Sequence, residues 1–412
     1  MASSRLLFLS SSFPYGLIDR FFAPEVRELV RQGVDVLAVP VRPTGTLTTS
    51  DAESLAIRRP LFDLEIARGA VAETVRAPWA VARSFALLFR SPSPNVLLRN
   101  LVAFPKALWI ARLARSWKAD HIYAHWAGPP STVAFIASRL SGVPFSFTAH
   151  FADIAANNLL REKSASAQFV RFIATAMMQL ARETAPGIDD SRWVLVRFGV
   201  EMPEGGAPRE TLREPPVLLM GARFDLEKRH DLLFQATRRL LEEGLEVEVW
   251  LAGAGPTEED TKRLAHRLGV DRSVRFRGSV PRAELLEWLA SGQVDVAVLP
   301  SDGEGLPVFL IEALAHYVPA IGTDAGGVAE LLGDGCGEVV PLADADALSD
   351  AIARVLRTPE LRGRMVRAGR ARVEREFAIE VVVRQLRQLL GFTQDADRPV
   401  TAGRSGAESS RD

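Results

Sequence analysis

Short runs of consecutive apolar residues alternate along this chain with longer stretches in which apolar positions recur every third or fourth residue. In the first half LLFLS is followed by PEVRELVRQG and VDVLAVP, and later HIYAH, PPSTVAFIASRLSG and VPFSFTAH repeat the order. Unbroken apolar runs of this length suit strands buried on both faces, and the helical spacing between them suits the segments that cover the sheet. The second half keeps the rhythm: VLLMGARF, HDLLFQATRRLLEEG, VEVWLAGAGP, a helix from about Thr257, VRFRG, a helix from Pro281, VDVAVLPS, an apolar helix around Glu312, PAIGTD and GEVVP. The pattern predicts an α/β protein of two doubly wound, Rossmann-like domains facing a cleft.

Residues 201–216, EMPEGGAPRETLREPP, gather four prolines and two glycines among charges without apolar periodicity, and read as a linker that permits hinge motion. This divides the chain into an N-terminal domain over 1–200 and a C-terminal domain over 217–376. AIEVVVRQLRQLLGF supplies a strongly apolar last helix over 377–391, and 392–412 lack apolar spacing and are expected to be disordered. A length of 412 residues, more than one core usually serves, agrees with two domains.

The single cysteine, Cys336, excludes an intrachain disulfide and a cysteine-ligated zinc, and points to a reducing cytoplasm. The opening MASSRLLFLSSSFPYG is too short in apolar residues for a signal sequence or a membrane span, so a first core strand is expected there. The net charge of −1 conceals an excess of +8 in residues 1–200 and −9 in the remainder, which suits two domains with different partners.

Chemistry concentrates in SDGEGLPVFLIEALAHYVPAIG, residues 301–322, where a strand, a glycine-containing loop and a helix opening at Pro307 follow in order. At the carboxyl end of a parallel strand, the next helix N-terminus offers unpaired N–H groups and a positive dipole end, and Gly303 and Gly305 let backbone approach a phosphate. A carboxylate beside a phosphate is repelled, so Glu304 has to address something neutral and rich in hydroxyls. Glu312, inside the helix, is expected to face the same cleft. A phosphate cradle flanked by two carboxylates describes a nucleotide-sugar site; the bland alternative is a solvated loop glutamate and a dipole-favoured one.

This stretch resembles the E-x7-E signature of the retaining glycosyltransferases of family 4, which have the GT-B fold. GARFDLEKRHDLLFQA, LAGAGP and DAGGVAELL are similar to the flanking motifs of that family, and HIYAHWAGPPSTVAFIASRLSGVPFSFTAHFADI resembles a subgroup serving bacterial exopolysaccharide and lipid-linked oligosaccharide assembly. The likeness spans nearly all of residues 5–390. It implies a last helix crossing back to the N-terminal domain. It also implies a UDP- or GDP-sugar donor, a glycan or polyprenyl-linked acceptor, and retention by front-face return of the acceptor hydroxyl.

Carried over by position, the resemblance gives Arg223 and Lys228 the donor diphosphate, Glu312 the ribose hydroxyls and Glu304 the donor sugar. Gly305 and Leu306 would offer backbone N–H groups, Gly326 and Gly327 would line the sugar pocket, and Arg277 and Gly278 lie where backbone groups meet the base. His150 matches a histidine facing the donor sugar from the other domain, so His150, Glu304, Arg223 and Lys228 form the expected catalytic set. Gly16, His125 and Trp126 border the acceptor side. No metal and no cofactor are expected: Asp344-Ala-Asp346 and Asp395-Ala-Asp397 sit at a helix start and in the tail, and Arg223 and Lys228 can meet the leaving group's charge. The loop SSSFPYGLIDRFF departs from the subgroup at Ile18, Asp19 and Arg20, whereas Glu25 matches a glutamate common there.

Residues 74–119 contain no Asp or Glu and eight Lys or Arg, interleaved with Trp79, Phe85, Phe89, Phe104, Trp109 and Trp117. APWAVARSFALLFR and NLVAFPKALWIARLARSW read as basic amphipathic helices, and two readings stay open: attachment to an anionic membrane surface, or an insertion packed on the sheet. Nucleic acid is not expected as a partner, since no recognition module accompanies the charge.

A hexosyltransferase-type glycosyltransferase is therefore the leading expectation. An epimerase or sugar-phosphate synthase of the same fold, and a catalytically silent sugar-nucleotide-binding partner, are the alternatives. A dinucleotide oxidoreductase fails on LAGAGP, where proline follows Gly255 and the third glycine is missing.

Overall fold

The structure, a computed structural model, describes residues 3–16, 22–47 and 55–392. The family departure at Ile18, Asp19 and Arg20 and the tail over 393–412 lie outside the described residues.

Six strands, β1 (Arg5–Ser10), β2 (Asp35–Pro40), β3 (His121–His125), β4 (Phe145–Ala149), β5 (Val170–Phe172) and β6 (Trp193–Leu195), form one sheet in the order β2-β1-β3-β4-β5-β6. Six more, β7 (Val217–Gly221), β8 (Glu248–Ala252), β9 (Val274–Gly278), β10 (Val296–Leu299), β11 (Ala320–Thr323) and β12 (Glu338–Val340), form a second in the order β12-β11-β10-β7-β8-β9. Every pairing is parallel. Helices cover both faces, which is why the strands read as unbroken apolar runs: Leu6, Leu7 and Leu9 are fully buried and Phe8 nearly so. Strand order reverses between β1 and β3 in one sheet and between β7 and β10 in the other, and ligands of such sheets bind outside the carboxyl ends at those points.

The segment over 201–216 carries no helix or strand, and it is tied down. The buried Asp295 carboxylate accepts from the Arg213 and Val217 backbone N–H groups at 3.1 and 2.8 Å and pairs with Arg209 at 3.3 Å. The helix Ile379–Leu389 buries Ile379, Val382, Val383 and Leu386, the spacing of one helical face. It returns to the N-terminal sheet: Val200 donates to the Phe377 carbonyl at 2.8 Å, Ile379 donates to Val200 at 2.9 Å, and Gln168 reaches the Leu389 carbonyl at 2.9 Å. Ordered chain runs past the expected tail boundary, because Phe392 is buried and its N–H bonds the Arg387 carbonyl at 2.9 Å. Pro307 stands one residue outside its helix, Val308–Ala315, as the cap rather than the first helical residue.

Among the described residues three α-helices lie between β2 and β3, Leu64–Arg76, Pro78–Leu87 and Pro94–Ser116. The third is largely a packed helix, the second of the two readings left open for it. Asn100, Ala103, Ala107, Ile110, Ala111 and Ala114 are buried where it packs between Leu64–Arg76 and Pro129–Ser141. Gly69 permits the approach, since a Cβ there would meet Trp109 Cδ1 at 2.6 Å. Two of its basic residues point inward. Lys106 is fully buried and donates to the carbonyls of Pro40, Val41 and Arg59 at 2.5, 3.1 and 2.6 Å, and Arg115 joins Arg76 on the buried carboxylate of Glu73.

Candidate active site

The loop after β10 is held by three neighbours. Thr323 at the end of β11 donates to the Ser301 carbonyl at 2.5 Å, while the Asp302 N–H donates to the Glu227 carbonyl at 2.8 Å and its carboxylate pairs with Arg229 at 2.8 Å. The segment after β7 is thereby docked on the segment after β10, across the reversal point of the second sheet. Within that contact Lys228 Nζ meets Glu304 Oε1 at 2.7 Å, with both side chains largely buried. Glu304 is also gripped through its backbone: the Gly327 N–H lies 3.4 Å from its carbonyl, and Gly326, at φ +54°, passes so close that an added Cβ would overlap that oxygen. Gly303 faces Glu227, whose Oε1 would lie 2.6 Å from an added Cβ. Lys228, Gly303, Glu304, Gly326 and Gly327 are therefore one cluster, and Leu306 beside them turns its side chain into the core.

Glu312 is buried in the following helix and bonds Arg282 Nε at 2.6 Å. Burial pushes its pKa up, with the Arg282 charge acting in the opposite sense. Arg282 reaches on to Glu201 at 3.2 Å, and Glu201 meets Arg27 of the N-terminal domain at 3.1 Å.

The side chains of two expected donor residues make local contacts. Arg223 is three-quarters exposed and pairs with Asp225 at 2.8 Å. The Arg277 guanidinium stacks 3.9 Å from the Trp250 ring centre and 5.6 Å from that of Trp288, and Gly278 after it adopts φ +68°.

On the N-terminal sheet, β3 and β4 end side by side and bring His125 Nε2 within 2.9 Å of His150 Nε2. One ring must donate and the other accept, so the pair holds at most one proton between these nitrogens. Burial drives His150 down to about 3, helped by the nearby Arg171 charge, and holds His125 well below the usual histidine range. Trp126 lies with its ring 4.5 Å from the His150 ring and adopts φ +92°, a conformation that costs a non-glycine residue about 1–3 kcal/mol. Its surroundings enforce it: Asp153 accepts from Ala127 N–H at 2.5 Å and His150 N–H at 2.7 Å, and the fully buried Lys163 donates to the Ala127 carbonyl and to Ser131 Oγ at 2.8 Å. Gly16, at φ +75°, donates to the Thr46 carbonyl at 3.0 Å in the loop after β1.

The two domains touch beside the β10 loop. The Met177 methyl abuts Gly305, the Ala174 methyl would lie 3.1 Å from a Cβ on Gly327, and Glu330 pairs with Arg197 at 2.7 Å. Arg282, Asp153, Lys163, Arg197 and Glu330 were not singled out from sequence. Asp153, three residues after the cap residue His150, carries a recognisable capping spacing; the others have no local signal. Glu25, noted for its family likeness, is buried in a two-pronged pair with Arg171 at 2.7 and 2.8 Å and accepts from Gly199 N–H at 3.0 Å, a structural tie. Among the described residues, no three His, Cys, Asp or Glu side chains gather closely enough to hold a metal ion, and no helix is long and apolar enough to cross a membrane.

Residues 207–372 match the family described as Glycosyl transferases group 1. The chain is 28% identical over 296 residues to the putative colanic acid biosynthesis glycosyltransferase WcaL of Escherichia coli K12, covering 68% of this chain and 72% of that one. It is 24% identical over 373 residues to the putative teichuronic acid biosynthesis glycosyltransferase TuaC of Bacillus subtilis, covering 85% and 88%. The crystal structure of Anabaena HepE in complex with UDP superposes with a TM-score of 0.69 at 15% identity, over 94% of this chain and 99% of that one, a likeness of fold. The two six-stranded parallel sheets are those of the GT-B architecture, residues 207–372 are similar to the group 1 glycosyl transferases, and the chain is a transferase enzyme.

Proposed function

We propose that this enzyme transfers a sugar, with retention and without a metal ion, from a UDP- or GDP-sugar held by the C-terminal domain to a glycan or polyprenyl-linked acceptor. The setting is bacterial polysaccharide or glycoconjugate synthesis in the reducing cytoplasm that a single cysteine suits. The observation that carries the reading is the Lys228–Glu304 pair, a cation and a carboxylate held together at the reversal point where such sheets take their ligands. When the donor enters, Lys228 exchanges the carboxylate for the diphosphate, and Glu304 is freed to accept from sugar hydroxyls. Arg223, now on Asp225, swings to the same diphosphate. Glu312, bonded to Arg282, accepts from the ribose hydroxyls.

In the reaction the bond from the anomeric carbon to the diphosphate oxygen breaks and its electron pair leaves with the phosphate. Lys228, Arg223 and the loop N–H groups stabilise that charge. The acceptor oxygen bonds to the anomeric carbon on the same face, and its proton passes to the departing phosphate oxygen. His150, neutral at working pH, offers a hydrogen bond to the donor sugar and no charge. The HepE complex with UDP supports a nucleoside diphosphate in a fold of this kind.

Calorimetric titration of UDP, GDP, ADP and CMP into the protein, with EDTA present, tests the reading. One diphosphate is expected to bind; failure of all four to bind folded protein overturns the assignment of the donor site.

A further inference from the structure

Apolar exposure on this molecule is concentrated in one place. Of the fourteen large hydrophobic side chains exposed among the described residues, nine fall between Phe62 and Val102. On the helix Leu64–Arg76, the residues Leu64, Val71 and Val75 are 64%, 65% and 77% exposed and share one face, since their spacing of seven and four residues returns to the same side. The opposite face, with Ile66, Gly69 and Glu73, packs inward. Trp79 at the start of the next helix is 81% exposed, and Phe89 in the turn that ends it is 61% exposed, edge-on to Phe85.

From Thr74 onward the charge on this surface has one sign, and ahead of it the half-exposed Glu65 is paired with Arg59. No Asp or Glu occurs in residues 74–119. Arg76, Lys106 and Arg115 are spent internally, on Glu73 and on backbone carbonyls. Arg83, Arg90, Arg99 and Arg112 are exposed, Arg90 standing 3.7 Å from Glu162. Apolar tips among arginines match a surface that is apolar beneath and anionic on top. A second copy of the chain fits less well, because a two-fold contact would set arginines against arginines.

We propose that the outer face of the helices Leu64–Arg76 and Pro78–Leu87, with the turn Leu88–Arg90, docks on an anionic lipid leaflet. The face belongs to the domain that carries His125, Trp126 and His150, and the helix Pro78–Leu87 packs on Pro129–Ser141, which follows directly on Trp126. Docking would thus present the histidine pair to an acceptor anchored in that leaflet; this last consequence rests on the proposed glycosyl transfer, and the docking itself does not. The segment differs from the 74–119 stretch expected from sequence: it begins earlier, at Leu64, and ends at Arg90, leaving out the helix Pro94–Ser116.

The test is flotation of full-length protein with vesicles of phosphatidylglycerol and phosphatidylethanolamine against phosphatidylcholine alone, at low and high salt, alongside nucleotide titration. The wild type is expected to float with anionic vesicles at low salt and to be released by salt. Val75→Glu with Trp79→Glu, and separately Arg83→Glu with Arg90→Glu, should each reduce the floated fraction about tenfold with nucleotide binding unchanged. Wild type that stays with the soluble fraction, variants that float like wild type, or a dimer that the glutamates dissociate without any flotation would each overturn the proposal. Loss of nucleotide binding with flotation intact would count against the donor site alone.

Discussion

Glu330 of the C-terminal domain and Arg197 of the N-terminal domain meet at 2.7 Å, and the same carboxylate accepts the backbone N–H groups of Thr175 and Ala176 at 3.0 and 2.9 Å. It therefore caps the helix Thr175–Thr184 across the domain boundary, next to Gly327 of the sugar-side loop. Burial works to raise the pKa of Glu330, but the two amides and Arg197 outweigh it and hold the carboxyl below its ordinary range. Glu330→Ala is expected to separate the domains, increasing the radius of gyration in solution scattering and lowering turnover roughly ten- to a hundredfold, as for a loss of about 1.5–3 kcal/mol at a charged hydrogen bond. An unchanged scattering curve would show that the contact does not govern closure.

Lys228→Ala removes the cation proposed to exchange Glu304 for the diphosphate. Nucleoside diphosphate affinity should fall roughly ten- to a hundredfold, about 1.5–3 kcal/mol, measured by calorimetry. Glu304→Gln, which removes a competing negative charge, should leave that affinity equal or tighter and depress turnover. Weaker nucleotide binding in Glu304→Gln would contradict the exchange.

Gly326 and Gly305 border the same loop but fail differently when given a side chain. A Cβ at Gly326 runs into the Glu304 backbone oxygen at a left-handed φ, whereas at Gly305 it meets only the mobile end of Met177. Gly326→Ala should abolish most activity and resist compensation; Gly305→Ala should lose less and recover when combined with Met177→Ala. Kinetics of the three variants and the double variant decide the point.

Asp153→Ala leaves the N–H groups of Ala127 and His150 without their acceptor, in a setting where Lys163 also loses a countercharge. A drop in stability of about 2–4 kcal/mol and a fall in turnover are expected, with nucleotide affinity unchanged because the residue lies in the other domain. Thermal unfolding and calorimetry separate the two effects. Reduced nucleotide affinity would place Asp153 in a different role.

Acid should destabilise the fold well above the carboxylate range. Burial lowers His121 and His150 to about 3 and His230 to about 4, and lowers His125 and His316 as well. The unfolded chain binds these protons from about pH 6.5 downward and the folded chain does not, so stability falls as pH drops through that window. Each imidazole lowered to about 3 costs about 2 kcal/mol at pH 5. Asp153, raised by burial to about 7, and Glu312, also raised by burial, act in the opposite sense, but two carboxyls stand against five imidazoles. Urea midpoints at pH 7.5 and 5 should differ accordingly; equal midpoints would mean that the histidines titrate in place.

The alternation of strands and helices, the closing helix after Ala378 and the strand–loop–helix around Glu304 were legible because each is written in local periodicity and turn chemistry, which a chain carries residue by residue. Glu304, Glu312 and the glycines at 303 and 305 could be singled out as candidate site residues for the same reason. What each side chain meets was not legible. Arg282 against Glu312, His125 against His150, Glu330 against the helix at Thr175, and Arg223 turned out to Asp225 are pairings that form only when segments far apart in the chain are brought together. The basic stretch makes the same point. Its composition left membrane attachment and packing on the sheet both open, and Lys106 ended in the core, since whether a charged residue meets water depends on what packs over it, and packing is decided by the tertiary fold.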